Sequence, residues 1–99
     1  MKVLTAEDDS ITRKIVNRTV EKLGHEVVSA ANGVEAWEKF QGDEEIKVVI
    51  SDWMLPGIDG PELCRRVRRA DRSDYTFFIF LTSRGDREHL MEGDLPPES

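Results

Sequence analysis

The sequence predicts an α/β fold, a doubly wound parallel sheet with helices on both faces. Two observations carry this. Strand-like and helix-like stretches alternate along the 99 residues, which implies parallel βαβ units with right-handed crossovers. The third and fourth strand-like runs are apolar nearly throughout, as strands covered on both faces must be.

Each element has a local cause. Val3 to Ala6 is a short apolar run that ends in Glu7, Asp8 and Asp9. From Ser10 to Leu23, the residues Ile11, Ile15, Val16, Val20 and Leu23 fall close to helical spacing. Ser10 is placed to cap this helix, and Gly24 sits where a left-handed stop is expected. A second strand covers Glu26 to Ala30, punctuated by Asn32-Gly33. Val34, Trp37 and Phe40 then share one side of a helix, and Gln41 to Glu45 is a polar loop. The run Lys47 to Ser51 is the strongest buried-strand signal and delivers Asp52 to its carboxyl end. Two glycines and a proline make 53–60 a loop, and Pro61 suits the first turn of the next helix. That helix, to about Arg69, sets Leu63, Cys64 and Val67 against Arg65, Arg66, Arg68 and Arg69. The arginines read either as a docking patch or as a solvated helix face. Phe77 to Leu81 is a fourth buried strand, followed by Thr82 and Ser83. Asp86 to Glu92 can begin a further helix, which Pro96 and Pro97 stop, so 93–99 reads as an irregular tail after a domain of 1–92.

Composition narrows the function. A net charge of −6 argues against nucleic-acid binding by this segment. Cys64 is the only cysteine, so no intrachain disulfide and no cysteine-based metal site can form. No apolar run is long enough to span a bilayer, and the amino terminus lacks a signal-peptide core. A cytoplasmic protein is expected.

Ligands of open parallel sheets bind beyond the carboxyl ends of the strands. Strand one ends there in Glu7-Asp8-Asp9, strand three in Asp52, and strand four in Thr82-Ser83. Taken singly, these are helix-start acids, a turn aspartate and a strand-end threonine. Together they make an oxygen-rich site, if those strands are neighbours. Converging carboxylates repel one another and call for a hard cation such as Mg²⁺. With the charge of an incoming phosphoryl group neutralised, a carboxylate of Asp52 can attack phosphorus, and the Thr82 hydroxyl can donate to a phosphoryl oxygen.

The residues that carry a family resemblance are 2–9, 25–33, 48–60 and 78–83, in particular Ser51-Asp52-Trp53-Met54-Leu55-Pro56-Gly57. In order and spacing the chain resembles the receiver domain of response regulators in two-component signalling, whose sheet order is 2-1-3-4-5. The resemblance implies four strands in order 2-1-3-4 here, with the fifth strand and last helix missing. It also implies Asp52 as phosphoacceptor and metal ligand, Asp8 as direct ligand, and Glu7 as a ligand through water. Met54 would supply a backbone carbonyl and Thr82 would be the switch hydroxyl. The implied partner is a sensor histidine kinase or phosphotransfer protein, and the protein is not a turnover enzyme.

The chain departs from the family in having no lysine after Lys47, so the family's phosphate-pairing lysine has no counterpart; Arg84 or Arg87 reads either as a partial substitute or as a solvent-facing residue. The fourth strand is then an uncovered edge, and self-association is expected. Two rival readings are a metal-dependent phosphohydrolase and an interaction module that keeps the fold without switching. The first usually places a second acid two residues after its nucleophile, where Met54 stands.

Overall fold

The computed structural model describes residues 1–81. Its elements are β1 (Lys2–Ala6), α1 (Ser10–Lys22), β2 (Glu26–Ala30), α2 (Gly33–Gln41), β3 (Ile46–Asp52), α3 (Gly60–Arg69) and β4 (Phe77–Leu81). The strands are all parallel, in the order β2-β1-β3-β4. The expected helix at Asp86–Glu92 and the tail from residue 93 lie outside the described residues.

Side-chain carboxylates and amides start the helices. Asp9 caps α1 by accepting from the Thr12 amide at 2.8 Å, so the cap falls one residue before the expected Ser10. Asp9 has the extended backbone that a cap requires, whereas Ser10 is already the first helical residue. Asn32 caps α2 through the Glu35 amide at 2.7 Å, and Glu35 reaches back to the Ala31 amide at 2.9 Å. Asp59 caps α3 ahead of Pro61. Gly24 follows α1 at a φ of 91°, as expected of its stop.

The core lies between the sheet and the α2–α3 layer. Ala36, Phe40, Leu63 and Val67 pack against Leu4, Ala6, Val49, Phe78 and Phe80 in one cluster. Full burial of a side chain such as Phe40 stabilises by about 1.5–3 kcal/mol. The opposite face of β1 and β2 meets α1 differently. Thr5, itself buried, donates to Asn17 Oδ1 at 2.6 Å, and Asn17 Nδ2 donates to Ser29 Oγ at 3.1 Å. A polar ladder therefore joins β1, α1 and β2 where apolar packing was expected. Val20 is buried, whereas Ile11, Ile15 and Leu23 are exposed.

β4 also departs from expectation. Phe78 and Phe80 are buried, while Phe77 is 55% and Ile79 40% exposed. Among the described residues β4 is an edge strand covered on one face only. No described helix is long and apolar enough to cross a membrane.

Candidate functional site

β1 and β3 are neighbours with Ala6 in register with Ser51. The residues that follow Ala6 therefore emerge beside the one that follows Ser51. Glu7, Asp8 and Asp52 each bring a carboxylate oxygen to one point, all within 4.8 Å of one another. Three oxygen donors so close, with no sulfur or imidazole among them, suit a hard divalent cation.

The three carboxylates differ in environment. Glu7 is 2% exposed and Asp52 8%, while Asp8 is exposed. Glu7 Oε2 accepts from the Asp9 amide at 3.0 Å, and Glu7 Oε1 is buried with no hydrogen-bond partner among the described residues. A buried acceptor left unpaired is costly, and a cation beside it would supply what is missing. Burial pushes the Glu7 pKa above its ordinary value, against the opposing bond from the Asp9 amide; the charges of Asp52 and Asp8 add to the rise. Asp52 Oδ1 accepts from the Trp53 amide at 2.9 Å, which orients that carboxylate at the strand end. Asp9 is turned to its capping role, and the Thr12 bonds hold its pKa below the usual carboxylate range.

The loop after Asp52 is fixed at two points. The Gly60 amide donates to the Trp53 carbonyl at 2.9 Å, and the Gly33 amide donates to the Pro56 carbonyl at 3.2 Å. Residue 60 has to be glycine: a Cβ there would lie 2.4 Å from the Asp52 carbonyl oxygen and 2.9 Å from the Phe80 ring. The Trp53 ring rests on Phe80, with centroids 4.7 Å apart.

Of the site residues read from the sequence, Glu7, Asp8 and Asp52 come together, and Met54 lies two residues into the loop with its side chain exposed. Thr82, Arg84 and Arg87 lie outside the described residues; Leu81, the last described residue of β4, is in register with Asp52. One contributor was missed. Arg13 Nη1 donates to the Glu7 carbonyl at 2.9 Å, tying α1 to the end of β1. Its signal in the sequence was a basic residue one helical turn beyond Asp9.

Comparisons with known proteins agree with this arrangement. The family described as response regulator receiver domain matches residues 3–93. Chemotaxis protein CheY1 of Helicobacter pylori (strain J99) is 37% identical over 92 residues, covering 92% of this chain and 74% of that protein. The phosphate regulon transcriptional regulatory protein PhoB of Rhizobium meliloti is 34% identical over 92 residues, 93% of this chain but 40% of that protein. The solved structure of chemotaxis response regulator CheY4 of Vibrio cholerae superposes with a TM-score of 0.78 at 34% identity, covering 88% of this chain and 72% of that one.

Proposed function

The chain belongs to the response regulator receiver domain family, and from that premise we propose that it is a phosphoacceptor switch, phosphorylated on Asp52. The observation that carries this reading is the meeting of the Glu7, Asp8 and Asp52 oxygens within 4.8 Å. A carboxylate oxygen of Asp52 attacks the phosphorus of a phosphohistidine on a sensor kinase or phosphotransfer protein. The O–P bond of an acyl phosphate forms as the P–N bond breaks, and the imidazole leaves with the electron pair. The Trp53 amide holds the attacking carboxylate in place. Asp8, Asp52 and the Met54 carbonyl would hold Mg²⁺, with Glu7 acting through a bound water. When bound, Mg²⁺ neutralises the phosphoryl oxygens and the crowded carboxylates. Thr82 is the hydroxyl that reads the phosphoryl group.

The role is signalling in the cytoplasm, without turnover of a substrate. We further propose self-association through β4, which among the described residues is an edge strand with Phe77 and Ile79 exposed, since an uncovered strand edge invites pairing.

Incubation with acetyl phosphate and Mg²⁺, followed by intact mass, tests the central reading. Wild type should gain one phosphoryl group and Asp52→Asn none. A wild-type chain that gains nothing would instead support the interaction-module reading.

A further inference from the structure

The arginine-rich stretch of α3 plays no part in the acidic site, and it lines a cleft at the far end of the molecule. Helices that link parallel strands run against them, so the carboxyl ends of α2 and α3 lie away from Glu7, Asp8 and Asp52. There the two helices border an open cleft of about 440 Å³. Trp37 and Phe40 line it from α2, Arg66 and Arg69 from α3, and Arg72 from the chain beyond.

The cations have different duties. Arg72 lies over the Phe40 ring, 3.8 Å from its centroid, and donates to the backbone carbonyls of Phe40 and Asp43. It thereby offsets the negative end of α2 and fixes the cleft floor. Arg68 is spent on the Thr76 carbonyl. Arg66 lies 5.8 Å from the Trp37 ring centroid and shares Glu62 with Arg65. Arg69 is exposed and makes no hydrogen bond or ion pair among the described residues. A half-buried indole beside an engaged and an unengaged guanidinium is the chemistry enriched at binding hot spots.

We propose that this cleft docks a short acidic segment of a partner protein, with an apolar side chain on Trp37 and carboxylates on Arg66 and Arg69. Guanidinium groups bind carboxylates two-pronged, and these two sit about one helical turn apart, roughly 4.5 Å along the axis. Charge complementarity favours an acidic segment: three arginines meet two lining carboxylates, Glu44 and Asp71, in a chain whose net charge is −6. Those same two carboxylates repel a continuous polyanion such as nucleic acid, whereas separate side chains can avoid them. The exposure of Gln41, Arg69 and Asp71 leaves the cleft too open to enclose a small molecule.

Fluorescence polarisation of the full chain with a labelled peptide, in which Glu and Asp flank Leu and Phe, tests the assignment. Saturable, salt-weakened binding is expected, and Arg69→Glu should weaken it roughly tenfold. Arg18→Glu, the same charge change on α1, should leave it intact. The indole resonance of Trp37 should move on titration while that of Trp53 stays. Binding should persist in Asp52→Asn, which separates this result from the phosphoacceptor reading. The assignment is overturned by absence of saturable binding, by equal losses in both charge reversals, or by equal affinity for a labelled oligonucleotide. Self-association lost in Arg69→Glu, with no peptide bound, would make a second copy the occupant and overturn it too.

Discussion

Replacing Glu7 with glutamine tests the electrostatics of the acidic cluster with and without its cation. Glu7 is buried, its Oε1 has no hydrogen-bond partner among the described residues, and two further carboxylates lie within 4.8 Å. A buried acceptor left unpaired costs about 1–3 kcal/mol. Glutamine removes the charge, keeps an acceptor for the Asp9 amide, and turns an N–H toward its acidic neighbours. Glu7→Gln should therefore stabilise the metal-free protein by about 1 kcal/mol, which raises Tm by roughly 4–8 °C in a domain of this size. Mg²⁺ should have the reverse preference. At ten times its Kd it would stabilise wild type by about 1.4 kcal/mol, and Glu7→Gln would lose most of that gain. Thermal melts by circular dichroism near neutral pH, in EDTA and in Mg²⁺, read both effects. A variant that melts below wild type in EDTA, or that gains as much from Mg²⁺, refutes the reasoning.

Further outcomes follow from the same structure. In EDTA the raised Glu7 pKa means that the native state holds its proton more tightly than the unfolded chain. That contribution to stability is complete below the ordinary value of 4.5 and is lost as pH rises through the folded value. The lowered carboxylates of Asp9, Glu35, Asp43, Glu62 and Asp74 act in the opposite sense. The urea stability of wild type minus that of Glu7→Gln, followed from pH 4 upward in EDTA, should therefore show the decline, and a difference that grows in favour of wild type would contradict it. Gly60→Ala forces a Cβ to within 2.4 Å of the Asp52 carbonyl, so a loss of about 1–3 kcal/mol and slower phosphorylation by acetyl phosphate are expected; wild-type melting and rate together would rule out the close approach. Phe40→Ala empties a fully buried position and should cost about 3–5 kcal/mol in urea unfolding. Ile79→Lys, on the exposed face of β4, should lower any self-association seen by sedimentation without changing Tm by more than a few degrees.

Periodicity and punctuation made the architecture legible: four strands in the expected order, with Asp52 at the end of β3. The acids of the site were legible for the same reason, because strand ends on one edge of a parallel sheet must converge once β1 and β3 are neighbours. Other features were not. Helical spacing marks apolar residues but cannot say which will face the sheet, and α1 turns Asn17 inward while Ile11 and Ile15 remain outside. Nor does sequence spacing reveal a side chain that folds back over its own helix start, which is how Arg13 reaches the Glu7 carbonyl. The cap falls on Asp9 because that residue has the extended backbone of a cap, whereas Ser10 already lies in the helix.

The ladder of Thr5, Asn17 and Ser29 has a consequence for aim. A greasy interface tolerates sliding, since one methyl group serves about as well as another. Hydrogen bonds at 2.6 and 3.1 Å do not. Advancing α1 by a single residue would swing Asn17 through about 100° and shift it about 1.5 Å, stranding both hydroxyls. The helix is thereby indexed, like a shaft keyed to its hub, and the turn that carries Glu7 and Asp8 inherits one fixed bearing toward Asp52.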